Sequence, residues 1–385
     1  MAGHKKKPTK RQRKKRKLIL FVIEIVILVV LLGGLFFASK MNLIQKNVLD
    51  KDKIGVNEMD KEVQESLKGY TNIAMFGLDN RDMDNYGRGN TDVIMIFSIN
   101  NDTKEIRMVS VYRDTFLNVS ETGDTPYFFK ANSAYARGGP ERAINMLNTN
   151  LDLEIEDYVA FDFSAVAKAV DILGGVEIDI DEVEAEQMQV YVPHTNKILG
   201  TDSQVISQPG TYNLDGVQAV AYSRIRYTKG NDFKRAERQR EVFSQMMAKA
   251  KKADVPTLTK LMDAVFPHIS TSLSQGEMLS MIKIMIGYDL GDSQGFPFDR
   301  ATKEMGTKKG SIVVPCDLVS NVTELHKFLF DNENYTPSST VEEYSNSIIY
   351  ETGITSENSI TDNFSEVDNF DGSDTGNADS TDSGE

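Results

Sequence analysis

Tyr158-Val159-Ala160-Phe161, then Ser164 to Leu173, then Gly174-Gly175 and Val176-Glu177-Ile178-Asp179-Ile180 set a strand, a helix and a second strand in immediate succession. The run from 164 to 173 is apolar at helical spacing and stops at a glycine pair, the residue type that most readily adopts the left-handed backbone of a helix end. The strand after it alternates apolar with acidic side chains, so one face is buried and the other wet. Such switching of period predicts an α/β, or α+β layered, domain with a central mixed β-sheet flanked by helices. Working upstream, strands are expected near 71–78, 92–99 and 105–112, followed by a helix from Gly139-Pro140 to about Asn148. Downstream, Asp215 is placed to cap a helix running to Arg224, residues 257–287 read as one or two apolar helices, Ser311 to Pro315 reads as a last strand, and Ser320 to Phe330 as a helix.

Ahead of this domain, Leu18 to Ala38 is an apolar run of 21 residues broken by Glu24 and two glycines, long enough to cross a bilayer once as a helix. Ten lysines and arginines and no acids lie in the first 17 residues, so the positive-inside tendency puts the N-terminus in the cytoplasm and everything after Lys40 outside. Phe36-Phe37-Ala38 is a poor cleavage site, which favours an uncleaved anchor over a signal peptide. From Lys40 onward the chain carries 33 basic and 56 acidic side chains, a net charge of −23. That balance repels nucleic acid at long range and makes any phosphate site a local affair. No nucleic-acid partner is expected, because the basic arm is explained by topology and offers no helix-turn-helix. Cys316 is the sole cysteine, so no intramolecular disulfide forms and the domain is held by its core.

Two groups of residues suggest chemistry. Arg224-Ile225-Arg226 and Asp232-Phe233-Lys234-Arg235-Ala236-Glu237-Arg238-Gln239-Arg240 concentrate guanidinium forks that match phosphate oxygens in pairs. On a helix starting at Phe233, Arg235, Arg238 and Gln239 share a face, with Asp232 at the N-cap. Upstream, acids and arginines gather at strand ends: Asp79-Asn80-Arg81, Arg88-Gly89-Asn90-Thr91-Asp92, and Tyr112-Arg113-Asp114-Thr115. Asp79 and Asp92 are a pair of carboxylates that could hold a magnesium (or manganese) ion, which needs one or two protein carboxylates and completes its shell with phosphate and water. Met246, Met247, Met278, Met281 and Met285 read as core. No Gly-x-x-x-x-Gly-Lys phosphate loop is present, which disfavours nucleotide hydrolysis.

Gly77-Leu78-Asp79-Asn80-Arg81, Thr91-Asp92, Tyr112-Arg113-Asp114-Thr115, Lys130-Ala131-Asn132-Ser133-Ala134-Tyr135, Gly174-Gly175-Val176 and the Arg224 to Arg240 stretch occur in the order seen in the LytR-CpsA-Psr family, which the chain resembles over roughly residues 70 to 250. The resemblance implies a magnesium-dependent phosphotransferase at the outer face of a Gram-positive membrane. It would move a glycopolymer, such as teichoic acid or capsule, from a polyprenyl pyrophosphate carrier to a peptidoglycan hydroxyl. By the same resemblance Arg81, Arg88, Arg113, Arg224, Arg226, Arg235, Arg238 and Gln239 would grip the pyrophosphate and Asp79 and Asp92 the metal. Arg113, Asp114 and Asp232 would be catalytic, with Asp114 or Asp232 as base. The competing expectation is a non-catalytic membrane receptor or transcriptional attenuator that binds lipid-linked glycans. The expected organisation is a cytoplasmic arm at 1–17, an anchor at 18–38 in contact with membrane lipid, and an extracellular stalk at 39–69. The catalytic domain follows at 70–335, then an acidic Ser/Asp/Thr-rich tail at 336–385, largely disordered.

Overall fold

A computed structural model describes residues 34–36, 38–78, 89–226 and 231–358. The first half of the domain runs β1 (Gln45–Lys46), α1 (Lys61–Leu67), β2 (Tyr70–Leu78), β3 (Thr91–Asn100), β4 (Glu105–Val111), β5 (Phe116–Asn118), β6 (Phe128–Lys130), α2 (Asn132–Leu151), β7 (Asp157–Asp162) and α3 (Phe163–Ile172). Then come β8 (Val176–Ile180), α4 (Glu182–Leu199), β9 (Gly210–Leu214), α5 (Gly216–Arg224), α6 (Asn231–Ala250), α7 (Val255–Val265), β10 (Ile269–Thr271) and α8 (Gln275–Gly287). The chain closes with β11 (Asp289–Phe296), β12 (Arg300–Glu304), β13 (Ser311–Pro315), α9 (Leu318–Phe330) and α10 (Ser339–Thr352).

Seven strands form one mixed sheet in the order β1-β10-β7-β2-β3-β4-β11. Its central strands alternate in which layer they feed. Ala74, Phe76, Leu78, Ile94, Ile96, Val109 and Val111 point to one side, where α2, α9 and α10 cover them. Ile73, Met95, Phe97, Ile106 and Met108 point to the other, against Phe243 of α6 and Met281, Ile284 and Met285 of α8. Burying both faces explains why β2, β3 and β4 read as near-continuous apolar runs. A satellite core, built from α3, β8, α4, β9 and α5 with Val242 of α6, packs beside the sheet. The glycine pair ends α3 as expected, with φ of 81° at Gly174 and 86° at Gly175. Asp215 caps α5 through a reciprocal bond pair with Gln218.

The structure departs from the sequence reading in several places. α2 begins at Asn132, seven residues before the expected start, and bends at Gly138 and Gly139, whose backbone is non-helical. Within 257–287 the short strand β10 interrupts the helices, and the edge strand β11 follows. Residues 39–69 are not a free stalk: Gln45–Lys46 pairs with β10 and the buried Asn57 bonds Asp152. The tail starts later than residue 336, because α10 buries Val341 and Ile348 in the main core; residues 359–385 lie outside the described chain. So does nearly all of the expected anchor, and among the described residues no helix is long and apolar enough to cross a membrane.

Candidate functional site

The site is assembled where three elements end. β4 delivers Tyr112 to Thr115 as a turn whose backbone is pinned from several sides: Tyr112 N bonds Phe296 O of β11, Val313 N of β13 bonds Asp114 O, and Asn132 N of α2 bonds Arg113 O. β3 starts at Thr91-Asp92, just across from a register shift at Gly77/Leu78. α6 presents Asp232, Arg235, Ala236 and Gln239 from its first turns, and together these residues line a narrow cleft with Ser110, Tyr112 and Arg113.

Asp92 is the hub. Its Oδ1 accepts from Arg113 Nη1 at 2.6 Å, and its Oδ2 lies 2.6 Å from Arg235 Nη2. Arg113 Nε sits 3.5 Å from both Asp114 Oδ2 and Asp232 Oδ1. Arg226 Nε approaches Asp232 Oδ1 at 3.3 Å, and Arg235 Nη1 lies 3.6 Å from the same oxygen. Lys130 Nζ, from β6, pairs with Asp114 Oδ1 at 3.1 Å. Four cations thus meet three carboxylates in a partly buried cleft, leaving a positive surplus for an anion.

These charges set the titration of the acids. Burial alone would raise the Asp92 carboxyl, but Arg235 and Arg113 overcome it and hold the group at about 2. Asp114 goes the other way: burial raises its carboxyl, and the neighbouring Asp232 raises it further against the pull of Arg113. Asp232 is pushed up by burial too, yet the three guanidiniums of Arg113, Arg226 and Arg235 bring it below the ordinary range. Two acids in one cleft are thereby driven apart, one ionised and one with raised proton affinity.

Several buried polar atoms here make no hydrogen bond among the described residues: Arg113 Nε, Arg235 Nε and Nη1, Asp232 Oδ1 and Ser110 Oγ of β4. Most of these atoms face one another at ion-pair range, Arg113 Nε 3.5 Å and Arg235 Nη1 3.6 Å from Asp232 Oδ1, while Arg235 Nε has no hydrogen bond among the described residues; the excess of four cations over three carboxylates is what favours an anion here.

Directly behind the cleft lies an apolar cavity of about 180 Å³ between the sheet, α3, α5 and α6. Met75, Met95, Phe161, Val166, Phe243 and Met246 are among its walls, so Met246, expected to be plain core, faces open space. Arg235 and Gln239 line both the cleft and this cavity, and Arg224 stands at the cavity wall beside Phe163, 4.9 Å from its ring centroid. A charged anion cradle opening into an apolar chamber is the geometry of a site for an amphiphile with a phosphate head.

A match to the LytR_cpsA_psr family covers residues 36–291, two thirds of the chain. The chain belongs to the LytR_cpsA_psr family. Among relatives, biofilm regulatory protein A of Streptococcus mutans is 30% identical over 223 residues, 56% of this chain and 52% of that protein. A polyisoprenyl-teichoic acid–peptidoglycan teichoic acid transferase, TagU of Enterococcus faecalis, is 28% identical over 57% of this chain and 68% of its own length. The chain therefore spans about half to two thirds of these relatives. The fold is shared with protein gbs0355 of Streptococcus agalactiae, with a TM-score of 0.59 at 22% identity, covering 73% of this chain and 94% of that one. It is shared too with Bacillus subtilis TagV, at 0.54 and 21% identity, covering 70% and 99%.

Among the residues expected at a LytR_cpsA_psr site, Asp92, Arg113, Asp114, Arg226, Asp232, Arg235 and Gln239 converge, with Arg224 at the cavity. Arg238 does not. Its Nε donates to Glu184 Oε1 of α4 at 2.8 Å and its Nη1 to Ile225 O at 3.2 Å, so it ties α6 to the satellite core. On the helix it stands only some 60° from Arg235 and 100° from Gln239, so the bond to Glu184, not helical spacing, takes it out of the cleft. Asp79, Arg81 and Arg88 lie outside the described residues. Lys130 was not among the expected site residues, although it stands in the Lys130-Ala131-Asn132 motif beside a strand end. Asp92 differs from the expectation in being engaged on both oxygens by arginine. Each oxygen keeps a second lone pair, and hard carboxylate oxygen is what magnesium takes, so a one- or two-carboxylate site shared with a phosphate fits this donor set. Among the described residues no three His, Cys, Asp or Glu side chains group as a self-sufficient metal site.

Proposed function

We propose that the protein is a magnesium-dependent phosphotransferase that moves a glycopolymer from a polyprenyl pyrophosphate carrier to a peptidoglycan hydroxyl, outside a membrane to which residues 18–38 anchor it. The observation that carries this reading is the pair Arg235 and Gln239, which line the anion cleft and the apolar cavity at once. A soluble phosphosugar has no use for the cavity, and a lipid without a phosphate head leaves the surplus positive charge of the cleft unmatched. Each methylene of a prenyl chain moved from water into such a chamber gains about 0.8 kcal/mol. Relatives named as teichoic acid transferases favour an anionic polymer of that class.

In this reading Arg113, Arg226 and Arg235 hold the diphosphate and stabilise charge as it spreads over the phosphoryl oxygens, the main contribution open to a phosphoryl-transfer enzyme. Asp92 and Asp232 keep those guanidiniums oriented and stay ionised. The acceptor hydroxyl oxygen bonds to the phosphorus that carries the polymer, the bond from that phosphorus to the bridging oxygen breaks, and polyprenyl phosphate departs with the electron pair. The hydroxyl proton passes to Asp114, the acid with raised proton affinity, steadied by Lys130. Magnesium, held by Asp92 with Asp79, would neutralise the remaining charge of the diphosphate.

The test is mass spectrometry of the full-length protein in detergent with magnesium, a short synthetic polyprenyl pyrophosphate glycan and an uncrosslinked peptidoglycan oligomer. A phosphodiester adduct plus free polyprenyl phosphate, lost in Arg226→Ala and on chelation, is the expected result. Donor binding without product points to a lipid-glycan receptor, and free polymer phosphate to hydrolysis.

A further inference from the structure

The apolar cavity is too small for the whole of the lipid assigned to it. An engineered protein cavity of about 150 Å³ takes one benzene ring, so about 180 Å³ holds only the first part of a chain tens of carbons long. The rest of the chain must leave, and the sheet order shows where. The cavity spans four neighbouring strands, from Met95 on β3 through Met75 on β2 and Phe161 on β7 to Ile269 on β10. Three gaps of about 4.8 Å make that about 14 Å. Arg235, paired with Asp92 at the start of β3, stands at one end, and Ile269 with Val265 of α7 closes the other.

The β10 end is where the chain arrives from its expected anchor. β1, the next strand out, begins only seven residues after Ala38. Between them Lys40 Nζ pairs with Asp263 of α7, Met41 is buried against Met262 of α7 and Met278 of α8, and Asn42 Oδ1 accepts from Gln275 Nε2 at 3.0 Å. An anchor that ends at Ala38 therefore holds α7 at the bilayer surface. The helix suits that place. It has no buried residue, and Leu258 and Leu261, on one stripe with Val265, join none of the buried clusters among the described residues. Residues 242–288 carry five lysines and three acids in an otherwise strongly acidic domain, and Lys252, Lys260 and Lys283 are exposed. Half-buried apolar side chains rimmed by lysine are the pattern of a helix resting on anionic lipid.

We propose that α7 and the β1–β10 edge rest on the surface of the lipid bilayer and form the mouth through which the donor's prenyl tail passes from membrane to cavity. The assignment rests on the transferase reading and adds how a lipid-linked donor reaches the arginine cleft without leaving the bilayer. The residues of the mouth are docking residues, not catalytic ones.

The test uses the full-length protein in vesicles of phosphatidylcholine and phosphatidylglycerol whose acyl chains carry a nitroxide quencher. A fluorophore is placed on Leu258→Cys, on Leu261→Cys, or on Tyr350→Cys of α10, which covers the opposite face of the sheet; the native Cys316 is buried. Emission from positions 258 and 261 should be quenched and that from 350 should not. Equal quenching at all three, or none at 258 and 261, overturns the docking face. Leu261→Asp should slow transfer from a long polyprenyl donor in vesicles about tenfold and leave transfer from a short, soluble prenyl donor within about twofold, which also shows that the variant folds. Lys260→Glu, at an exposed position, should slow the long donor on vesicles with phosphatidylglycerol and not on phosphatidylcholine alone. Equal effects on long and short donors in both variants overturn the mouth. Quenching confined to 258 and 261 with no transfer from either donor by the wild type would instead sink the transferase reading and leave the docking face standing.

Discussion

Two buried polar networks, one at each end of α2, are built to opposite specifications. Asp152, fully buried at the end of α2, accepts from Asn57 Nδ2 at 2.6 Å, Tyr335 OH at 2.8 Å, Ser338 N at 2.8 Å and Ser338 Oγ at 2.7 Å. Every partner is spent, and the result staples the segment before α1 and the start of α10 to the core. The Asp92 network is looser: Arg113 Nε and Arg235 Nη1 stand 3.5 and 3.6 Å from Asp232 Oδ1 without hydrogen-bond geometry, and Arg235 Nε makes no hydrogen bond among the described residues. A closed network is structure; a looser one with more cations than carboxylates is what the proposed anionic ligand would complete.

Substitution at Arg235 should produce the largest effect. Arg235→Ala removes the guanidinium that in the proposed reaction would hold the phosphoryl oxygens, and should lower transfer about 10³-fold, ~4 kcal/mol of transition-state stabilisation. Arg235→Lys keeps the charge beside Asp92 but not the fork, so it should lose most of that rate with the melting temperature nearly unchanged. Equal rates for Arg235→Lys and wild type would mean that the Arg235 fork is not used in transfer.

Asp152→Ala should do the reverse. Stranding the Asn57, Tyr335 and Ser338 groups should cost about 3 kcal/mol of stability, read by denaturant unfolding, while transfer per folded molecule holds. A fall in activity at full folding would show that the two networks are coupled.

Acid separates them further. The Asp92 carboxyl is depressed to about 2 in the folded protein, below its unfolded value near 4. Its contribution, about 2 kcal/mol, is therefore complete above pH 4 and lost as pH falls through about 2. Asp114, shifted upward, works with the opposite sign: what it contributes is present at low pH and disappears as pH rises through its raised value. The stability gap between wild type and Asp92→Asn, measured from pH 5 down to 2.5, should narrow steadily; a constant gap would refute the assignment.

The contrast between regions also governs what could be read from the chain. β2, β3 and β4 were legible because both faces of each are buried, which leaves unbroken apolar runs, and the Gly174-Gly175 stop was legible because left-handed backbone selects glycine. β11, Asp-Leu-Gly-Asp-Ser-Gln-Gly-Phe, carries no such pattern; it is an edge strand recruited by parallel pairing with β4, not by its own side chains. α10 was hidden in a polar, Ser- and Glu-rich stretch whose few apolar residues, Val341 and Ile348, lie seven apart on one buried stripe. At the site, the arginine-rich segment made a phosphate the expected ligand, but helical spacing could not tell which arginines face the cleft. That depends on Glu184, 54 residues away, which claims Arg238.

This last distinction yields the smallest predicted effect and the sharpest test. Arg238 and Glu184 form a buried pair, so removing one partner strands a charge and should destabilise by several kcal/mol, whatever the function of either. Replacing both with apolar side chains of similar volume, as Arg238→Met with Glu184→Leu, removes the stranded charge and should bring stability back to near that of the wild type. Transfer by the double variant should then lie within about twofold of wild type, because the pair closes on itself as the Asp152 network does. A phosphate ligand in its place would cost about 10²-fold or more, the loss typical of one donor to a developing charge. Such a loss with full stability would move Arg238 from the closed class to the open one, and would mean that the donor's phosphates reach past Gln239 toward α4.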